Sequence, residues 1–324
     1  MARVLSSSGV WKRGASLVLV ALAVAGLRGQ DAPRPSRPMF RSGVDLVSVA
    51  AVVRDRRGEV IRTLTRADFE VYDNGVLRPI VEFSPAEEGP VSLALLVDVS
   101  GSMAVASNLT AARRTIDHLV AWLKPGADEV GVFAFARELR EMQGFTNEPA
   151  RVQAALVGLE AYGTTSLYDA IDDVARQLAG RPTRRRAIVV LTDGLDNASR
   201  LSAAQVSGVA AGSDVPVYVV AVMSPLDDAT SRAYVGSGSV ARATGALEDL
   251  ARWTGGQAFV VSDDAQASVA ARRLLVELRH QYLLAFESVG APGWRPLDVR
   301  IRRRGDWSVS ARSGYFASQV RPIG

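Results

Sequence analysis

The sequence predicts an α/β protein: a doubly wound, mostly parallel sheet covered by helices, set between the two halves of a small β module. Three observations carry that expectation. Apolar β-type runs alternate with helix-period segments from Val91 to Leu278. The runs Val91–Val97, Ala187–Leu191 and Val215–Val222 are apolar apart from Ser92, as strands buried on both faces are. The flanking regions, 43–88 and 280–318, are rich in β-type residues and too small to bury a core alone.

The elements follow in order. Val44–Val53 reads as a long strand, Arg54–Gly58 as a turn, and Val60-Ile61 as the strand's return. Phe69–Tyr72 alternates and meets Asp73-Asn74-Gly75, a hairpin signal because Asn and Gly both tolerate positive φ; Val76–Phe83 is the expected return strand. After Val91–Val97, Leu109, Ala112, Ile116, Leu119, Val120 and Leu123 give Asn108–Leu123 a helical period that Pro125-Gly126 stops. Glu129–Phe135 and Glu138–Met142 read as strands, Pro149–Leu159 and Ser166–Leu178 as helices, and Ala187–Leu191 as a very apolar strand. Helix Ser202–Ala211, strand Val215–Val222, helix Ala246–Trp253, strand Ala258–Val261 and helix Ala265–Leu278 complete the alternation. The small-residue segment Ser224–Gly245 reads as a mobile loop beside the sheet's carboxyl edge or, equally, as a disordered insertion without function. Tyr282–Phe286, Pro296–Ile301 and Trp307–Arg312 are strands again, and Gly314-Tyr315-Phe316 ends the fold. Phe133 and Phe135 read as core, and Trp122 and Trp253 as helix packing residues.

Ahead of these elements, Lys12-Arg13 precede the apolar stretch Ala15–Leu27, the pattern of a secretory signal and shorter than a membrane span. The expected division is 1–30 signal peptide, 31–42 Pro-rich linker, 43–88 first half of the β module, 89–279 α/β domain and 280–318 second half. The protein is therefore expected to be exported, periplasmic or extracellular, with a membrane role only if the N-terminal segment stays uncleaved. Removing 1–30 takes away Arg3, Lys12, Arg13 and Arg28, so the net charge of +4 falls to zero. A near-neutral chain without an aromatic-basic stripe argues against nucleic acid. The 324 residues contain no cysteine, which excludes disulfides, thiolate metal sites and cysteine nucleophiles. The two histidines, His118 and His280, fall in helix-like stretches and offer no His-based metal site or triad. Arg184–Arg186 and Arg302–Arg304 read as solvated strand starts, with an anion-binding patch as the alternative.

Three segments carry the chemistry. Asp98-Val99-Ser100-Gly101-Ser102 ends the first buried strand with a carboxylate and two hydroxyls at alternate positions. Gly163-Thr164-Thr165-Ser166 opens a helix, and Thr192-Asp193-Gly194 ends another strand. Strand ends are where open α/β sheets bind ligands. Oxygen donors without histidine or cysteine suit a hard cation such as magnesium, which takes about six oxygens and keeps several waters.

The order of these segments resembles the von Willebrand factor type A domain and its metal-ion-dependent adhesion site, over about residues 91–279. The resemblance implies a Rossmann-like sheet and makes Asp98, Ser100, Ser102, Thr165 and Asp193 the metal residues, with Thr164 as the alternative threonine one residue out of register. It implies magnesium, with manganese or calcium as alternatives, the two aspartates often acting through water. It also implies a protein partner whose Asp or Glu carboxylate completes the metal's shell. The flanks, with Leu64–Gly75 and Arg312–Phe316, look like those of an acidobacterial-type subfamily of exported bacterial proteins. The expected function is thus a non-enzymatic, cation-dependent binding module in adhesion or envelope-complex assembly. A scaffold with a merely stabilising metal is the alternative. A metal hydrolase lacks a general base, since no histidine lies in the three segments.

Overall fold

In the computed structural model, which describes residues 45–193, 196–212, 214–223 and 240–317, the chain opens with strand β1 (Asp45–Arg54). The expected signal and linker lie outside the described residues, as do 224–239 of the expected loop. The Asp55 carboxylate accepts the Arg57 and Glu59 amides at 2.8 and 2.9 Å and closes the first turn. β2 (Phe69–Asp73) and β3 (Val76–Arg78) form a hairpin whose two turn residues, Asn74 (φ 50°) and Gly75 (φ 77°), are both left-handed.

The expected return strand is split. β3 pairs with β2, whereas β4 (Ile80–Ser84) pairs with a strand of another sheet. Pro79 stands at the break; it has no N–H to continue the ladder.

The α/β region runs β5 (Val91–Asp98), a 3-10 turn at Gly101–Ser107, α1 (Asn108–Ala121), β6 (Glu129–Phe135), β7 (Leu139–Thr146), α2 (Pro149–Val157) and α3 (Leu167–Ala179). It continues through β8 (Arg185–Thr192), α4 (Ala203–Gly212), β9 (Val217–Val222), α5 (Val240–Thr254), β10 (Ala258–Val261) and α6 (Asp264–Arg279). The six strands lie in the order β10-β9-β8-β5-β6-β7, all parallel except the edge strand β7. This is a Rossmann-like α/β sheet. Residues 240–245, expected in the loop, are instead the first turns of α5.

Alternation along β5 divides the interior. Val91, Leu93, Leu95 and Val97 join one core with α1, α2 and α6; Ala94 and Leu96 join the other with α3, α4 and α5. α3 shows why these segments are helices. Leu167, Ala170, Ile171, Val174, Ala175 and Leu178 recur at helical spacing, and all are buried. Each large apolar side chain so buried contributes about 1.5–3 kcal/mol. Phe133 and Phe135 are core residues, but Trp122 follows the end of α1 and is exposed, with Arg272 over its ring.

Strands from both chain ends pair with one another. β1 lies between β11 (Tyr282–Ser288) and β13 (Ser308–Ala311), and β11 pairs in turn with β4. β12 (Gly293–Ile301) lies between β2 and β14 (Gly314–Ala317). The two four-stranded sheets share one core containing Val49, Phe69, Val71, Tyr282, Phe286 and Tyr315.

Candidate metal centre

β5 is the innermost route through the sheet, flanked by β8 and β6, and its last residue is Asp98. The side chain is fully buried at the strand's carboxyl end. Its Oδ1 accepts the Ser100 amide at 2.8 Å, and its Oδ2 accepts the Thr192 hydroxyl at 2.6 Å from the end of β8. Among the described residues no guanidinium or ammonium pairs with it. Burial, with the negative charge of Asp193 adding to it, pushes the Asp98 carboxyl up to about 6, although the Thr192 and Ser100 donors pull the other way.

Ser100 is buried and Ser102 exposed, and their hydroxyl oxygens lie 3.0 Å apart. Backbone bonds tie this turn to the segment carrying the threonine. Gly101 donates to the Gly163 carbonyl at 3.0 Å, and Tyr162 donates to the Val99 carbonyl at 2.6 Å. Gly163 holds φ at +82°, a left-handed conformation that glycine adopts at little cost. Of the two candidate threonines, Thr165 is buried and Thr164 exposed.

The third segment is fastened to the second. Asn197 Oδ1 accepts the Thr165 amide at 2.9 Å, and the Thr165 carbonyl accepts the Asn197 and Ala198 amides at 3.1 and 3.0 Å. The first turn of α3 is closed from the same segment. The Tyr168 amide donates to Asp196 Oδ2 and to Ser199 Oγ, while Ser166, the cap residue, makes no side-chain cap bond. Asp169 in turn accepts the Arg200 and Leu201 amides. Asp196 and Asp169 are therefore structural. Asp193 is half-buried, one residue past β8, and close enough to Asp98 to repel it.

The three oxygen-bearing segments thus meet at one sheet edge. Sequence reasoning singled out neither Thr192, which orients Asp98, nor Asn197, which fixes the backbone of Thr165. Thr192 stood beside Asp193 in the quoted motif; Asn197 carried no signal. His118 and His280 are elsewhere, the first against Asp264 and the second at the end of α6. Among the described residues no group of three His, Cys, Asp or Glu side chains could hold a metal. The donors at the edge are hydroxyls and two carboxylates, a set suited to a hard divalent cation.

Residues 93–195 match the family described as the von Willebrand factor type A domain, a span that contains Asp98, Ser100, Ser102, Thr165 and Asp193. No curated protein matches the chain. Among solved structures, the chain is similar to an aerotolerance-related membrane protein from Bacteroides fragilis (20% identity, 58% of this chain and 98% of that one, TM-score 0.47). A von Willebrand factor type A protein from Catenulispora acidiphila matches at 14% identity over 86% of this chain and 75% of that one, TM-score 0.47. Proximal thread matrix protein 1 of the mussel byssus, in a form with a zinc-occupied MIDAS motif, matches at 14% identity over 64% and 49%, TM-score 0.47.

Proposed function

We propose that the chain is an exported, divalent-cation-dependent protein-binding module acting in adhesion or in the assembly of envelope complexes. In this reading the hydroxyls of Ser100, Ser102 and Thr165 hold magnesium, with manganese or calcium as alternatives. Asp98 and Asp193 supply charge, directly or through water. When bound, the cation offers an electrophilic position for the Asp or Glu carboxylate of a partner protein. One observation carries the reading: Asp98 is a fully buried carboxylate whose donors among the described residues are hydroxyl and amide groups, beside a second carboxylate. A buried anion left in that state is costly, and a cation at the strand end removes the cost. The family match over 93–195 supports the same reading.

The proposal includes the domain division given above, with the paired end strands as one module carrying the inserted 89–279 domain. It also includes cleavage of 1–30 as an export signal; among the described residues no helix is long and apolar enough to cross a membrane.

The test is a calorimetric magnesium titration of the wild type and of Asp98→Ala, followed by partner capture from envelope extract with magnesium or with chelator. Binding and capture are both expected in the wild type and lost in a folded Asp98→Ala variant. Metal-dependent melting without a change in capture would favour the scaffold. Unchanged magnesium affinity in Asp98→Ala would remove the site assignment.

A further inference from the structure

We propose a second ligand site, for a phosphate-bearing anion, between α6 and the turn after β1, built from residues the cation site does not use. A cavity of about 310 Å³ there is lined by Arg62, Arg272 and Arg273, with Gly58, Glu59 and Glu277. The charges do not balance. Glu277 is already taken by Arg54, which grips it through Nε and Nη2 at 2.7 and 2.5 Å. That leaves three guanidinium groups against Glu59 alone, an excess of two positive charges. None of the three forms a salt bridge among the described residues, unlike Arg54, Arg78, Arg279 and Arg295.

One of these arginines is held in place by a hydrogen bond, and a second packs against the turn. His280, a buried residue, has its Nδ1 at 2.8 Å from the Val276 carbonyl, so that nitrogen donates. Its Nε2 is then the acceptor for Arg62 Nη1 at 3.2 Å. One N–H of Arg62 is thereby fixed and the rest of the fork is left to the cavity. Arg273 lies on the turn itself, its Nη2 2.9 Å from where a Cβ on Gly58 would stand. Gly58 (φ +79°) both makes the turn and admits the guanidinium.

Guanidinium forks match the paired oxygens of phosphate and satisfy it bidentately. The volume is at the lower bound of ligand sites, about 300 Å³, and suits a headgroup-sized anion. Val269 beside it and Trp122 beneath Arg272 are exposed apolar groups. Val269, which lines the cavity, would meet the glycerol of a phospholipid headgroup or the organic part of a soluble phosphate ester.

The full chain should be tested with two probes: glycerol 1-phosphate by calorimetry, and vesicles of phosphatidylglycerol in phosphatidylcholine by co-sedimentation. Saturable binding to the first identifies a soluble source and to the vesicles alone a lipid source; either supports the site. Arg62→Gln/Arg273→Gln should bind at least tenfold more weakly, and Arg273→Gln alone, which removes no hydrogen bond among the described residues, should weaken binding without altering the melt. Arg304→Gln, an exposed arginine outside the cavity, should bind as the wild type does. The proposal is overturned if the wild type binds neither probe, if the double variant binds like the wild type, or if Arg304→Gln loses as much.

Discussion

Two regions of this molecule treat buried negative charge in opposite ways. Away from the carboxyl edge of the sheet, each buried carboxylate has its own arginine. Glu277 is gripped by Arg54, Asp128 by Arg279, and Asp73 of the β module by Arg295 and Arg78. At the carboxyl edge, Asp98 is as deeply buried, but its donors among the described residues are Thr192 and Ser100, and Asp193 is a neighbour. The paired carboxylates belong to the fold, because their countercharges are built into the chain. Under the proposed function Asp98 belongs to a site, because its countercharge would be the bound cation.

The largest expected effect tests the paired side. Asp128 also accepts the Val91 and Lys124 amides, so its position is fixed whether or not its arginine is present. Arg279→Met then leaves a carboxylate buried without its countercharge, which costs about 3–5 kcal/mol. Urea denaturation should show that loss, and Arg279→Met/Asp128→Asn should recover part of it, since no charge remains buried. A cost below about 1 kcal/mol for the single variant would show that water reaches Asp128. The contrast between the two regions would then fail.

The legibility of these features in the sequence follows from what each depends on. Strands buried on both faces were legible because an unbroken apolar run such as Ala187–Leu191 has few other uses. Edge strand β7 was legible only in part. Half-exposed and containing Gly144, it runs on to Thr146 without the apolar signal that marks β5. The helical turns at 240–245 were hidden by small residues and Gly245, which leave no apolar period to read. Arg184–Arg186 read as a solvated strand start, yet Arg186 is half-buried and donates to the Leu178, Ala179 and Arg181 carbonyls at the end of α3. A side chain that closes a distant helix end is set by tertiary contact, and local composition does not record it. The candidate site residues were legible because their residue types are chemically unusual at strand ends. Thr192 and Asn197 were not, because each acts through another residue of the site.

The next effect concerns pH. The folded-state pKa of Asp98 is raised to about 6 from 3.8, so between those values the folded chain holds a proton the unfolded chain has lost. Its contribution to stability is therefore fully present below pH 3.8 and is lost as pH rises through 6. The loss amounts to about 3 kcal/mol over the window, from about 1.4 kcal/mol per pKa unit. Asp169 and Glu129, whose pKa values are lowered, act in the opposite sense and lose stability only as pH falls through their folded values. The comparison is thus between the wild type and Asp98→Asn, melted in chelator from pH 4 to 7. The wild type should lose ground to the variant as pH rises and level off above pH 6. Saturating magnesium should reverse the order above pH 6, because only the wild type keeps the carboxylate. Parallel profiles in chelator would mean that Asp98 carries no uncompensated charge.

The smallest effect separates the proposed cation ligands from what aims them. Thr192→Val keeps the side chain's shape and removes the hydroxyl that donates to Asp98 Oδ2 at 2.6 Å. Loss of a hydrogen bond to a charged group costs about 1.5–3 kcal/mol, read in the metal-free melt. Losing an outer partner of a metal ligand weakens affinity about 10–100-fold, read by magnesium calorimetry. The titration of Asp98 should also shift upward, since one of the donors holding its pKa down is gone. Unchanged affinity would mean that the Ser100 amide alone orients the carboxylate. The strand pair β5–β8 would then contribute the burial of the site, and the turn after β5 its aim.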